Sequence, residues 1–160
     1  MSAKKEDKES MRRHLEKRIL PYTAEQMYAL VADVEHYPTF LPWCLGAEIT
    51  RKNDKEMTAI LQIGWKGLRD AFVSHVALDA PHAIVVTYGG GPLKHLENEW
   101  RFSPLPDGRC EVTFFVAFDF KSVLLGTLMD LFFDSAFCKM VGAFEERATE
   151  IYPNKEENHD

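Results

Sequence analysis

Between Ala47 and Asp119 apolar and polar positions alternate with a period of two. Ala59, Leu61, Ile63 and Trp65 alternate with Ile60, Gln62 and Lys66, and Val73 and His75 face opposite Phe72, Ser74 and Val76. Ile84, Val86 and Tyr88 mark a further strand, Trp100 and Phe102 another, and Val112, Phe114, Val116 and Phe118 the last. Successive side chains of a strand point to opposite faces, so the spacing predicts strands with one face turned to a core. Turn chemistry separates them at Asn53-Asp54, Asp79-Ala80-Pro81, Gly89-Gly90-Gly91-Pro92 and Pro104 to Gly108. Parallel crossovers need about a dozen residues or more, so these short intervals predict an antiparallel meander.

The flanking segments follow other patterns. Arg12 to Leu20 is expected to be a strand, with Leu15 and Ile19 set among mixed charges, and Pro21 ends it. Thr23 and Gln26 have capping-box spacing, and Met27, Leu30, Val31 and Val34 form the apolar stripe of the helix they open. Pro38 and Pro42 then forbid a long helix, which predicts a short turn carrying Tyr37, Phe40 and Trp43. A long helix is predicted from Ser122 to Tyr152, stopped by Pro153. Met129, Phe133, Ala136, Phe137, Met140, Phe144 and Ile151 make the stripe expected to pack on the sheet. A second apolar set, Leu124, Leu128, Leu131 and Phe132, lies off that stripe in the first half of the helix. A helix apolar nearly all round needs a second partner besides the sheet.

Composition narrows the class. A chain of 160 residues with no repeat or linker reads as one domain over residues 11–152, with disordered tails at 1–10 and 153–160. A net charge of −6 argues against a general nucleic-acid binder, DNA included. Cys44, Cys110 and Cys138 are odd in number and contain no CxxC pair, which suits reduced thiols. No zinc-site spacing is legible, so no metal is expected. No apolar run reaches about 18 residues and the N-terminus has no apolar h-region, which together suggest a cytoplasmic protein.

Catalytic signatures are absent: the chain holds no GxSxG, HExxH or GxxxxGK[ST] motif. The glycine run before Pro92 reads as a flexible turn. His36 near Cys44 could suggest a nucleophile and base, but nothing in the sequence orients either. Glu97 and Glu99 could pair as acid and base, though a solvated sheet edge is the plainer reading. What stands out is apolar. Eleven Phe and three Trp could line a cavity between a curved sheet and the last helix. Pattern alone favours the alternative, that they fill a tight core.

The order of elements and three motifs resemble a known family. One strand, two short helices, six strands and a long helix is the helix-grip order of START-like domains. Tyr37-Pro38-x-Phe40-Leu41-Pro42-Trp43-Cys44, after the Val31-Ala32-Asp33-Val34 helix end, is similar to the ubiquinone-binding START-like family. So are Gly91-Pro92-Leu93-Lys94-x-Leu96 with Trp100-x-Phe102, and Phe118-x-Phe120-Lys121-Ser122 before Leu124-Leu125. Leu93 stands where Phe is common in the motif. The family includes bacterial ribosome-association toxins and is grouped with polyketide cyclases.

The resemblance implies an α+β fold, with a curved antiparallel sheet of about seven strands wrapped on the C-terminal helix. It implies non-enzymatic binding of ubiquinone or a similar polyprenyl lipid in a hydrophobic cavity, as a carrier or chaperone, with no cofactor besides that ligand. By position, Phe40, Pro42 and Trp43 are expected at the pocket mouth. Leu93, Trp100 and Phe102 are expected in its wall, with Met129, Phe133 and Phe137 opposite. Leu124, Leu128, Leu131 and Phe132 are expected to touch a bilayer, with a dimer interface or cover by the Pro-containing segment as alternatives. A second reading is ribosome binding, through a basic face of Arg12, Arg13, Lys17 and Arg18, joined by Arg51 and Lys52. A third is a cyclase using inward His75 or His95.

Overall fold

Seven antiparallel strands pair in the order β1-β7-β6-β5-β4-β3-β2 in the computed structural model, which describes residues 11–65, 67–130 and 133–153. They are β1 (Arg12–Leu20), β2 (Cys44–Lys52), β3 (Glu56–Trp65), β4 (Leu68–Asp79), β5 (Ala83–Gly90), β6 (Leu93–Pro104) and β7 (Cys110–Phe120). From β2 to β7 the order is a plain meander, as the short turns require. β1 closes the other end by pairing with β7, with Arg12 opposite Phe118 and Leu20 opposite Cys110. The tail readings, 1–10 and 153–160, lie outside the described residues except at Pro153.

Between β1 and β2 the chain forms α1 (Ala24–Ala32), a 3₁₀ turn (Val34–His36) and α2 (Tyr37–Phe40). The capping box is present: the Gln26 amide donates to the Thr23 hydroxyl at 3.1 Å and the Thr23 amide to the Gln26 side chain at 2.9 Å. Met27, Leu30 and Val31 bury the inner face of α1. The last helical region is described as α3 (Val123–Asp130) and α4 (Phe133–Ile151). Among the described residues no helix is long and apolar enough to cross a membrane.

Three details differ from the sequence pattern. The buried stripe of α4 runs through Val141, Phe144 and Ala148, spaced three and four apart, while Ile151 is exposed. Two tyrosine bonds hold the helix end in this rotation: Tyr22, just before α1, bonds Thr149 at 3.1 Å, and Tyr152 donates to the Gln26 carbonyl of α1 at 3.0 Å. The β3–β4 hairpin turns at Gly67, whose φ of +84° suits glycine, a turn the alternation does not mark. Gly89 and Gly90 belong to β5 rather than to a free turn. The register steps from Val73–Gly90 to Ser74–Tyr88, so Gly89 is the extra residue of a bulge.

Candidate functional site

The inner face of the sheet meets α4 through a continuous array of rings. Trp100 lies 4.7 Å from Phe114 and 4.9 Å from Phe144, and stacks on Phe102 at 6.4 Å. Phe144 meets Phe40 edge-on at 5.2 Å and Tyr37 at 5.3 Å. On the other side Phe137 meets Phe118 at 5.5 Å and Phe114 at 6.2 Å. Period two delivers Phe114 and Phe118 to one face of β7, and helical spacing brings Phe137 and Phe144 onto one side of α4. Such pairs add about 0.5–1.5 kcal/mol each beyond area burial.

Within this array lies a cavity of about 10 Å³, room for about one water molecule. Apolar side chains, among them Leu20, Met27, Trp100, Phe114, Val141 and Phe144, form most of its wall; Glu16, Arg18 and Glu145 form its charged side. Two of the three charged wall residues, Glu16 and Arg18, come from β1, and Glu145 comes from α4. Arg12, His14, Glu16 and Arg18 turn towards the helix, whereas Leu15 and Ile19 are exposed on the outer face. Charges on a covered face persist only when paired. Arg18 donates to Glu145 at 2.7 Å and its Nε lies 2.6 Å from Glu16. Arg12 lies 3.3 Å from Asp119 and donates to the Gly126 carbonyl at 2.8 Å.

Burial favours the neutral form of Tyr37, Cys44 and Cys110. Burial pushes the Tyr37 phenol well above its ordinary value, with nearby Cys44 and Asp33 adding to the effect, and its hydroxyl donates to the Val31 carbonyl. Burial raises the Cys44 thiol, partly offset by its bond to the Gly46 carbonyl. Burial, with a smaller contribution from Glu25, pushes Cys110 up to about 11. Neutral thiols of this kind are poor nucleophiles.

The array brings together Phe40, Trp100, Phe102 and Phe137 of the residues expected at the pocket. Leu93 is buried beside Tyr88, whose hydroxyl accepts from the Leu93 amide at 2.9 Å. Trp43 is half-buried and packs against the core, and Pro42 is exposed. Met129 lies in α3 and Phe133 opens α4; their side chains fall outside the described residues. Leu124 is exposed at the start of α3. The Leu128 side chain, and Leu131 and Phe132 entirely, fall outside the described residues. The Pro-containing segment packs at the other end of the helical region, with Phe40 against Phe144, so it does not cover Leu124.

Several expectations are corrected. β6 lies inside the sheet, so Glu97 and Glu99 are not on an edge; they pair with His95 at 3.2 Å and with Arg101 on the outer face. His75 is exposed on that face and bonds Thr58 at 3.3 Å, and His95 shares a side with Glu97, so neither points into the array. His36 pairs with Asp33 at 2.7 Å, not with Cys44. The basic cluster is divided: Arg12 and Arg18 turn inward, Arg13 and Lys17 outward. Arg51 and Lys52 sit on β2, the opposite edge strand, so they do not join it. Sequence reasoning missed Glu16, Arg18 and Glu145 as wall residues. The two-residue spacing of Glu16 and Arg18 was the available signal, but charged alternation ordinarily marks a solvated face.

Comparison with known proteins agrees with this architecture. Residues 20–145 match the family described as polyketide cyclase / dehydrase and lipid transport. The chain is 36% identical over 134 residues to the ribosome association toxin RatA of Escherichia coli K12, covering 84% of this chain and 85% of that protein. It is 37% identical over 145 residues to coenzyme Q-binding protein COQ10 homolog B, mitochondrial, of Xenopus laevis, covering 88% of this chain and 59% of that protein. The ZhuI aromatase/cyclase of Streptomyces sp. R1128 superposes with a TM-score of 0.78 at 16% identity, over 91% of this chain and 98% of that one, which shows the shared fold. The seven-stranded sheet gripping a C-terminal helix, and the sequence match across most of its length, establish that the chain belongs to the polyketide cyclase / dehydrase and lipid transport family, with a START-like helix-grip fold.

Proposed function

We propose that the protein binds ubiquinone or a similar polyprenyl lipid between the inner sheet face and α4, and carries or chaperones it without catalysis. The observation that carries this reading is the ring array of Trp100, Phe114, Phe137 and Phe144, in a chain similar to a coenzyme Q-binding protein. An apolar ligand gains about 25 cal/mol per Å² of area buried there. Drug-sized ligands fill pockets of roughly 300–1,000 Å³, so a prenyl chain enters as α4 moves off the sheet. Exposed Leu124, with Leu128, Leu131 and Phe132 after it, contacts the bilayer from which the lipid is drawn. The working place is the cytoplasmic surface of the inner membrane.

The test is mass spectrometry of an organic extract of the purified protein beside a control protein, followed by ubiquinone titration with tryptophan fluorescence. A stoichiometric prenyl lipid, with saturable quenching lost in W100F, supports the carrier. A clean extract with no quenching overturns it.

Likeness to a ribosome association toxin favours a second reading, ribosome binding. The outer face of β1 offers Arg13 and Lys17 beside exposed Leu15 and Ile19. Subunit-association assays with R13E/K17E test it: equal activity of the variant and the parent removes this surface.

A further inference from the structure

We propose that His14, Glu16 and Cys138 form a binding site for a zinc-class divalent cation. His14 and Glu16 lie two apart on β1, hence on one face. Cys138 lies on α4, 122 residues from Glu16 in sequence. One ligating atom from each of the three lies within 4.8 Å of the other two. No local spacing announces this set, because only the packing of α4 on β1 assembles it.

The separations that join these side chains as hydrogen bonds are also those of ligands around one tetrahedral ion. His14 Nε2 stands 3.3 Å from Glu16 Oε1, and Cys138 Sγ stands 3.7 Å from the same oxygen. Zinc bonds of about 2.0–2.1 Å to nitrogen, 2.0–2.2 Å to oxygen and 2.3 Å to sulfur, at tetrahedral angles, set N and O about 3.4 Å apart and S and O about 3.6 Å apart. Both observed separations match those edges. A charge-assisted imidazole–carboxylate hydrogen bond is shorter, about 2.7–2.9 Å.

The surroundings position the ligands. Glu16 Oε2 lies 2.6 Å from Arg18 Nε in an ion pair, and Oε1 is the oxygen that faces His14 and Cys138. Glu145 shares the Arg18 charge at 2.7 Å. The His14 ring stacks on Phe137 at 5.8 Å and 25°, which fixes its plane. His14 and Glu16 are mostly covered, with side chains 13% and 16% exposed, while Cys138 is exposed and opens a path from solvent. Imidazole, carboxylate and thiolate together suit a borderline-soft cation rather than magnesium or calcium. Three protein ligands leave a fourth position for water or another donor. The bound cation links β1 to α4 beside the cavity and holds the helix on the sheet. This reading needs no lipid, so it stands or falls apart from the proposed function.

The test uses the full chain, stripped with a chelator and desalted, then titrated with Co²⁺ as the spectroscopic probe and with Zn²⁺ against a chromophoric chelator. One equivalent of Co²⁺ is expected to give a thiolate-to-cobalt charge-transfer band and the strong visible bands of a tetrahedral ion. C138S is expected to fold, since Cys138 is exposed, and to lose the charge-transfer band. H14Q and E16Q are expected to weaken Zn²⁺ binding by at least about tenfold, while H82A, at an exposed site outside the cluster, leaves it unchanged. Zn²⁺ is expected to raise the Tm of the parent and not of C138S. Absence of the band, its survival in C138S, or parental affinity in folded H14Q and E16Q overturns the site.

Discussion

The Arg18 guanidinium donates to the Glu145 carboxylate at 2.7 Å and ties the edge strand β1 to α4 beside the cavity. The Glu145 side chain is 43% exposed, so solvent screens the pair. An exposed pair contributes about 0.2–1 kcal/mol. Arg18 also meets Glu16, so R18M is expected to destabilise more than E145Q. A double-mutant cycle by urea denaturation measures the coupling; a value above about 2 kcal/mol would mean a desolvated pair rather than a screened one.

Trp100 stands at the centre of the ring array, 4% exposed and in contact with Phe114 and Phe144. W100A is expected to cost about 3–5 kcal/mol through lost burial and the cavity left behind. W100F keeps a ring there and is expected to cost well under half of that. Equilibrium unfolding of both variants checks the order, and a mild W100A would show that the array collapses to refill the space.

The strand end at Gly90 and Gly91 offers a paired comparison. Both have strongly positive φ, +142° and +144°. A Cβ on Gly91 would stand 2.7 Å from Phe72 Cβ and 2.8 Å from the Ala71 carbonyl, whereas one on Gly90 meets nothing within 4 Å. G90A therefore carries backbone strain alone, and G91A adds a clash with backbone. G91A is expected to lower Tm clearly further; equal losses would mean that Phe72 and Ala71 yield without cost.

Thiol chemistry separates the three cysteines. Cys138 is exposed while Cys44 and Cys110 are buried, so a thiol reagent at pH 8 is expected to label one site quickly and the others only on unfolding. Burial raises Cys110 from its ordinary 9.0 to about 11. A raised folded value means that its contribution to stability is complete below pH 9 and is lost as pH rises towards about 11. Urea midpoints should fall across that window, with the Cys44 shift acting in the same direction, and C110A should flatten the fall. An identical slope in C110A would remove Cys110 as its source.

The strands and α1 were legible because their signals are local. Alternation at Val112 to Phe118 sets one face of β7, and Thr23 with Gln26 caps α1 whatever packs elsewhere. The ring residues Phe40, Trp100, Phe102 and Phe137 could be named on motif and periodicity, although nothing local says how tightly they close. The α4 stripe is offset because Ile151 fits the same helical period as Phe144, while the Tyr22–Thr149 and Tyr152–Gln26 bonds hold the helix end in its final rotation.

By itself, the sequence determined a meander of strands, a capped helix, a last helix with an aromatic stripe and the family to which they belong. Only the tertiary structure decided which face of β1 looks inward. Alternation of side chains is a property of a single extended backbone, but the choice of face depends on what covers the strand. With α4 carrying Glu145 and Cys138 alongside β1, the charged row Arg12, His14, Glu16 and Arg18 finds partners inward, and Leu15 and Ile19 are left outside. The Cys138–Glu16 contact spans most of the chain and exists only once the helix has docked.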